Sequence, residues 1–267
     1  MSAPSIVIFD SGLGGLTVYR EVSAARPDAH FIYAADDAAF PYGRLDEAAL
    51  VARVTRVIGK LIEEYRPDLV VIACNTASTL VLPELRARFG VPFVGTVPAI
   101  KPACAASVSR LVSVLGTEGT VGREYTRGLI RQFANGAEVT LVGSARLAGY
   151  AEAELRGEPV SDEAIGQEIA PCFVDREGRR TDSVVLACTH YPLLRRRFER
   201  VQPWPVTYID PAPAIARRVV DVIGPLPAGA KASGAAQMLL TSGRHPAGKL
   251  GAVLKGFGIT AFGALSV

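Results

Sequence analysis

Short apolar runs alternate along the chain with longer segments in which apolar residues recur at helical spacing. Runs of this length, rich in branched apolar residues, are typical of buried strands. Strands that alternate with helices are typical of βα units around a parallel sheet, so the pattern predicts an α/β fold. The predicted strands are residues 6–9, 30–34, 69–73, 93–95, 111–115, 138–142, 183–187, 207–209 and 237–240.

Two of the intervening segments carry helix signals. Residues 45–65 are amphipathic and are followed by Pro67, which a helix does not accommodate in its interior. Residues 79–89 form a second predicted helix, and Gly90 stands where a left-handed glycine often ends a helix. Both segments lie between predicted strands, as the crossover helices of a parallel sheet do.

The sequence around the predicted strand at residues 69–73 is partly repeated later in the chain. Residues 69–76 read LVVIACNT, and residues 182–189 read DSVVLACT. Each segment is an apolar strand that ends in Ala-Cys, followed by a polar residue and a helix; the alternative is a chance match of short strands. This partial repeat predicts two related α/β halves, with Cys74 and Cys188 at the carboxyl ends of strands. Open parallel sheets bind ligands at that edge.

The charge distribution argues against a nucleic-acid partner. The 267 residues include 29 Lys plus Arg and 26 Asp plus Glu, mixed along the chain, for a net charge of +3. A nucleic-acid-binding surface usually carries a basic stripe. The nearest feature, residues 195–197 with Arg200, is expected to be the solvated face of a helix.

The apolar segments predict no membrane contact. None of them reaches the roughly 20 residues that a membrane helix needs. The sequence begins with residues 1–4, MSAP, and passes directly into a strand without the features of a signal peptide. We therefore expect a cytoplasmic protein.

Four cysteines are too few for a disulfide framework, so free thiols are expected. Cys104 and Cys172 lie within apolar or helical patterns and are interpreted as packing residues. Cys74 and Cys188 precede helices, whose free N–H groups and dipole favour an anion, so a lowered thiol pKa is expected for both. No metal site is predicted, because C-x-x-C is missing and the three histidines are not at ligand spacing with the cysteines.

Polar motifs surround the two cysteines. Residues 10–17, DSGLGGLT, follow the first strand, and three interpretations stay open: a dinucleotide-binding turn without its third glycine, a turn that brings backbone to a ligand carboxylate while Asp10 faces the site, or an ordinary tight turn. Residues 75–79 either cap a helix or bind a ligand. His190, beside Cys188, is either structural or handles protons.

Taken together, these motifs resemble those of the glutamate racemases, in the aspartate/glutamate racemase superfamily. The resemblance rests on DSGLGG at 10–15, PYG at 41–43, ACNTAS at 73–78, GTEGTV at 116–121 and CTHYPLL at 188–194, and it extends from residue 6 to about residue 220. It implies two similar parallel-sheet α/β domains related by pseudo-twofold symmetry, with the active site in the cleft between them. Residues 1–97 plus 207–267 would form the first domain and residues 98–206 the second.

The resemblance also implies the chemistry, which is interconversion of L- and D-glutamate without cofactor or metal, supplying D-glutamate for peptidoglycan. Cys74 and Cys188 would be the two acid/base residues, with Asp10 and His190 as their assistants. The positions that match substrate contacts are Asp10, Ser11, Tyr42, Gly43, Asn75, Thr76, Thr189 and His190. Glu152 falls where the family has a catalytic-site glutamate, although Ser144-Ala145 and Asp210-Pro211 depart from the usual Cys-Pro and Asp-Ser.

Other functions stay open at this stage. A racemase for aspartate or another amino acid is the nearest rival, because one methylene in a pocket is worth only about 1–3 kcal/mol. A nonenzymatic amino-acid-binding protein would also have two α/β lobes, but the missing export signal and the paired cysteines argue against it. The incomplete glycine pattern argues against a nucleotide-binding oxidoreductase. The expected partner is the substrate, and the oligomeric state stays open, with a homodimer among the alternatives.

Overall fold

All nine predicted strands form in the computed structural model, which describes residues 3–232 and 235–267. The strands are β1 (Ser5–Asp10), β2 (His30–Ala35), β3 (Leu69–Ile72), β4 (Phe93–Gly95), β5 (Leu111–Gly116), β6 (Glu138–Gly143), β7 (Asp175–Arg176), β8 (Arg179–Arg180), β9 (Ser183–Ala187), β10 (Thr207–Ile209), β11 (Ala236–Leu240) and β12 (Ala261–Ala264). The helices are α1 (Leu16–Ala25), α2 (Glu47–Tyr65), α3 (Asn75–Arg88), α4 (Ile100–Ala106), α5 (Glu118–Val121), α6 (Glu124–Phe133), α7 (Leu147–Arg156), α8 (Asp162–Ile169), α9 (Arg195–Val201), α10 (Ala212–Ile223) and α11 (Gly248–Gly256).

Ten of the strands build two parallel sheets, one in each domain, whereas β7 and β8 pair with each other as an antiparallel hairpin. The first domain has six strands in the order β12-β11-β2-β1-β3-β4, and the second has four in the order β10-β9-β5-β6. Every neighbouring pair in these sheets is parallel. The order β2-β1-β3-β4 in the first sheet repeats as β6-β5-β9-β10 in the second, so the predicted pair of similar parallel-sheet α/β domains is confirmed.

Burial on both faces explains why the strands are continuously apolar. In β1, Ile6 and Ile8 enter one core of the first domain, whereas Val7 and Phe9 enter the other. Alternate side chains of a strand point to opposite faces, and helices cover both faces of a parallel sheet. β9 divides its side chains between the two cores of the second domain in the same way.

The strand β10 corrects the predicted domain boundary. Thr207–Ile209 pairs with β9 in the second sheet, and Tyr208 is buried in a second-domain core. The chain therefore returns to the first domain after Ile209 and not at residue 207. α10 follows and packs Ile215 and Val219 into the first-domain core.

Two helix boundaries also differ from the sequence prediction. α2 ends as expected, with Arg66 in a left-handed conformation (φ 44°) just before Pro67. α3 begins at Asn75 rather than at residue 79, because Cys74 itself occupies the N-cap position. The prediction for Gly90 is wrong: α3 ends in extended backbone at Phe89 (φ −122°), and Gly90 has no left-handed backbone. Within the described ranges, no helix is long and apolar enough to cross a membrane.

Candidate active site

The two predicted cysteines lie at equivalent places in the two domains. Cys74 follows β3, and Cys188 follows β9, the strand that corresponds to β3 in the shared strand order. Each continues a row of side chains into one core: Cys74 belongs to a first-domain core and Cys188 to a second-domain core. Both thiols are buried, and they are close enough to interact electrostatically. The sequence prediction thus names two groups that meet where the domains face each other.

Burial, however, reverses the expected effect on the Cys74 thiol. Desolvation raises the pKa of Cys74 well above its ordinary value, and the negative charge of Asp10 raises it further. The backbone N–H of Ala77 and the hydroxyl of Ser11, 3.8 Å from the sulfur, oppose this shift without cancelling it. The predicted lowering of this pKa by the helix N-terminus is therefore wrong, because desolvation outweighs it.

Asp10 is fully buried beside Cys74. Its Oδ2 atom accepts a hydrogen bond from the backbone N–H of Gly15 at 2.9 Å. Its Oδ1 atom has no hydrogen-bond partner in residues 3–232 and 235–267. Burial raises the pKa of Asp10, although His190 and Gly15 act in the opposite direction. A buried carboxylate oxygen without a partner is costly, so this atom is suited to receive a cationic ligand group.

A chain of polar side chains leads away from Cys188. The sulfur lies 3.8 Å from Nδ1 of His190, and Nε2 of the same ring lies 3.0 Å from Oε1 of Glu152. Burial alone would lower the pKa of His190, but the contacts with Cys188 and Glu152 raise it well above its ordinary value. Burial would raise the pKa of Glu152, but the hydrogen bond with His190 leads a set of contacts that lower it. These directions favour a buried imidazolium–carboxylate pair.

The surroundings of Nε2 suit both protonation states of His190. The backbone N–H of Gly14 points at this atom from 3.1 Å, which fits a neutral ring with its proton on Nδ1. The carboxylate of Glu152 accepts the Nε2 proton when the ring is an imidazolium. A ring that fits both states can exchange a proton with the adjacent thiol without rearranging.

The glycine-rich turn is explained by a contact between the domains. A Cβ atom added to Gly12 would lie 2.5 Å from Oε1 of Glu152, and one added to Gly14 would overlap the ring of His190. Leu13, between them, donates its backbone N–H to Oε1 of Glu152 at 2.7 Å. Side chains of the second domain thus fill the space that a dinucleotide phosphate would need.

Three threonine hydroxyls join the domains at another point. Oγ1 of Thr76 lies 2.9 Å from that of Thr117 and 3.2 Å from that of Thr120. Arg123 adds hydrogen bonds to the carbonyl oxygen of Thr76 and to the hydroxyl of Thr79. Thr76 was predicted as a substrate contact, whereas individual roles for Thr117, Thr120 and Arg123 were not. A hydroxyl triad can reorganise its bonds to accept a polar ligand.

The remaining residues predicted to contact the substrate differ in whether their polar atoms already have hydrogen-bond partners within the protein. Asn75 accepts from the hydroxyl of Thr96 at 3.3 Å, and its Nδ2 atom has no partner in the part of the chain that the structure describes. Thr189 holds the two domains together through its carbonyl oxygen, which accepts from Thr17 at 3.1 Å. Tyr42 is buried, and its hydroxyl donates to Asp36 at 2.5 Å. The tyrosine hydroxyl is therefore engaged within the protein.

Gly43 lies beside this cluster, against Thr117 and Gly119 of the second domain. Ser11, Asn75, Thr76 and Gly43 are thereby brought to the same edge of the first sheet as Cys74. Among the described residues, no group of three or more His, Cys, Asp or Glu side chains is arranged to hold a metal ion.

Known proteins resemble this chain along nearly its whole length. Residues 15–219 match the family described as Asp/Glu/Hydantoin racemase. A glutamate racemase of Brucella anthropi is 52% identical over 255 residues, which is 95% of this chain and 92% of that relative. A glutamate racemase of Rhizobium meliloti is 54% identical over 256 residues, covering 95% of this chain and 92% of its own length.

A solved structure gives the same result. Escherichia coli glutamate racemase, crystallised with L-glutamate and the activator UDP-MurNAc-Ala, matches with a TM-score of 0.90 and 41% identity over 99% of both chains. The chain therefore belongs to the aspartate, glutamate and hydantoin racemase family, and it is an isomerase that acts as an amino-acid racemase.

Proposed function

We propose that the enzyme interconverts L- and D-glutamate by moving the α-proton between Cys74 and Cys188, with no cofactor. The observation that carries the proposal is the pair of buried thiols at corresponding strand ends of two facing domains. Relatives more than half identical to this chain are glutamate racemases, and the E. coli relative binds L-glutamate. Both findings support glutamate as the substrate.

Two thiols solve the geometric problem of racemisation. A carbanion at the α-carbon is planar, and a single base cannot reach both of its faces. In the L-to-D direction, the thiolate of Cys188 removes the α-proton and the thiol of Cys74 donates a proton to the opposite face. Cys188 ends as a thiol and Cys74 as a thiolate, so proton exchange must restore the starting state. The raised pKa of Cys74 fits its role as the donor in this direction.

The groups around the thiols have distinct roles in this proposal. Oδ1 of Asp10 receives the substrate ammonium, which also offsets the negative charge beside Cys74. Hydroxyls and amides of Ser11, Asn75, Thr76 and Thr189, with the backbone at Tyr42 and Gly43, bind the two carboxylates. His190 and Glu152 exchange a proton with Cys188. Polar groups fixed in a buried site stabilise the carbanion because they need no reorganisation.

In the cell, we place this activity in the cytoplasm, where it supplies D-glutamate for peptidoglycan. Among the assemblies that the sequence leaves open, a homodimer is the one to test. Size-exclusion chromatography with light scattering tests the assembly directly, and a monomeric mass would contradict it.

The function is tested by following chirality with purified protein after exhaustive chelation. We expect L- and D-glutamate each to reach a racemic mixture, with no pyridoxal absorbance in the protein and a specificity constant for aspartate well below that for glutamate. Activity that disappears on chelation, or that needs pyridoxal phosphate, contradicts the mechanism. A specificity constant for aspartate equal to that for glutamate contradicts the substrate and leaves the mechanism intact.

A further inference from the structure

Glu152 carries different partners on its two oxygen atoms. Oε1 faces the site, where it accepts from Leu13 and contacts His190. Oε2 faces away and accepts from Nη2 of Arg156 at 2.6 Å. The two residues lie four positions apart on α7, so they are on one face of the helix. The Glu152 side chain is 3% exposed and that of Arg156 is 43% exposed, so a surface cation is joined to a buried carboxylate.

We propose that Arg156 is a positioning residue for the acid–base pair at Cys188: it holds Glu152 as a carboxylate directed at His190, so that His190 can exchange a proton with Cys188. This role rests on the proposed racemisation. Arg156 acts through Glu152, and its guanidinium contacts neither thiol. Because Arg156 fixes Oε2, the rotation of the carboxylate is restricted and Oε1 stays in line with the imidazole ring.

The charges around Glu152 show why it needs this partner. The groups that interact with its carboxylate are Asp10, Tyr33, His190 and Arg156. Asp10 is a like charge, and His190 is a cation only when protonated. Arg156 is therefore the permanent cation of this set, since a guanidinium stays protonated throughout the working pH range.

Arg156 also faces a cavity of about 780 Å³ between the domains. The other ionisable residues that line this cavity are Asp37, Glu152, Glu158, Arg244 and His245. None of the ion pairs found in the described ranges joins Arg156 to these groups, apart from its pair with Glu152. The guanidinium is thus oriented by a single carboxylate.

Removal of Arg156 should shift the pH dependence of kcat/KM in a defined direction. Among the contacts that lower the pKa of Glu152, the hydrogen bond with His190 comes first and the charge of Arg156 also contributes. Without Arg156, that pKa rises, so Glu152 takes up a proton at a higher pH as the solution is acidified. The activity carried by the carboxylate form is then lost at a higher pH, and the acid limb of kcat/KM moves upward.

The test compares kcat/KM from about pH 4 to pH 9 in four proteins: the parent, Arg156→Gln, Arg156→Lys and the control Arg146→Gln. Arg146 occupies the N-cap position of the same helix, without a side-chain capping bond, and pairs with Glu168, so its replacement breaks another ion pair of a surface arginine. We expect Arg156→Gln to lose several-fold in kcat/KM at about pH 4 and less than about 2-fold at pH 6 and above, because a rise of about one unit in the lowered pKa of Glu152 acts only in the acid range. Arg156→Lys should lie between it and the parent, and Arg146→Gln should follow the parent.

A double-variant comparison separates positioning from a merely structural role. In a Glu152→Gln background, adding Arg156→Gln should leave the pH profile unchanged, because the group through which Arg156 acts is already neutral. A further shift in that background overturns the proposal. So does an equal loss of kcat/KM at every pH in Arg156→Gln.

An independent measurement does not require turnover. With three histidines in the chain, ¹⁵N-histidine NMR resolves the His190 ring in the unliganded protein. Arg156→Gln should move the titration of the His190 nitrogens, and Arg146→Gln should not; an unchanged His190 titration overturns the proposal. If the parent does not racemise glutamate at all, the proposed function fails, while this titration still decides the role of Arg156.

Discussion

At the scale of single residues, the environment of Cys74 makes its protonation testable. Burial and Asp10 raise the pKa of Cys74, so its thiolate forms only at high pH in the unliganded protein. Alkylation by iodoacetamide, followed by peptide mass spectrometry, should therefore keep accelerating above about pH 9, beyond the ordinary range of a thiol. Asp10→Asn should increase the rate at a given pH. A rate at Cys74 that levels off below about pH 8 would contradict the effect of burial.

The two thiols can also be separated by isotope exchange. In deuterated water, Cys188→Ala should abolish racemisation, while Cys74 still slowly exchanges the α-proton of D-glutamate and leaves L-glutamate untouched. Cys74→Ala should show the opposite selectivity. NMR of the α-proton in each enantiomer measures both rates.

The control for this experiment is Cys104→Ala. Cys104 is buried in a second-domain core away from the cleft, so its replacement should lower stability and retain activity. Racemisation that persists in either active-site variant, or exchange of both enantiomers by one of them, would refute a mechanism with two bases.

At the scale of elements, the turn at residues 10–15 is as tightly constrained as the thiols. Gly14→Ala should push the His190 ring away from Cys188, because the added methyl group overlaps the ring. A displacement of about 1 Å in a catalytic group costs on the order of 100-fold in rate. The variant should therefore lose about that factor in kcat while it remains folded by circular dichroism.

Gly149→Ala is the matched change on α7. Gly149 is exposed, and an added Cβ meets nothing within 4 Å. Alanine is favoured over glycine within a helix by about 1 kcal/mol, so thermal unfolding should shift upward with activity unchanged. Equal activity in the two alanine variants would show that the glycine turn does not position His190.

The elements also show how far the sequence can be interpreted. The central strands were predictable because both of their faces are buried, which leaves a continuous apolar run. The edge strand β12 was missed because its sequence, AFGA, is mostly exposed and carries no such run. The start of α3 was misplaced because its N-cap is Cys74, which gives none of the usual capping signals.

In the site, the motif residues were predictable and the links between domains were not. Glu152 contacts Leu13 across 139 positions of sequence, and no local pattern encodes such a contact. The one local signal for Arg156 was its spacing of four residues from Glu152, which is common on helices and has no specific meaning alone. The missed residues are those that act through another side chain.

At the scale of the whole molecule, Asp36 joins distant parts of the first domain. It follows β2 and accepts hydrogen bonds from Tyr42, from Arg53 on α2 and from Thr241 after β11. Burial would raise the pKa of Asp36, but these partners lower it below its ordinary value. Its stabilising effect is therefore present at neutral pH and is lost as the pH falls through the lowered pKa.

Asp36→Asn should accordingly destabilise the protein by about 3 kcal/mol at pH 7, because Arg53 loses its buried partner. Urea unfolding from pH 7 down to pH 3 should show the difference from the parent shrinking in the acid range. Asp221→Asn, which breaks an exposed ion pair with Arg218, should change stability by less than about 0.5 kcal/mol. A difference for Asp36→Asn that stays constant with pH would contradict the role of its charge.

Cys74 and Cys188 are anchored in the hydrophobic cores of different domains. The gap between the two sulfur atoms is therefore set by how the domains meet, and neither core can adjust it alone. Substitutions in the interface between the two domains can widen or narrow this gap while each core keeps its packing. We therefore expect substitutions in the domain interface to be the main way in which the size of the acidic substrate that fits between the sulfur atoms changes during evolution. Such substitutions should lower the melting temperature only slightly.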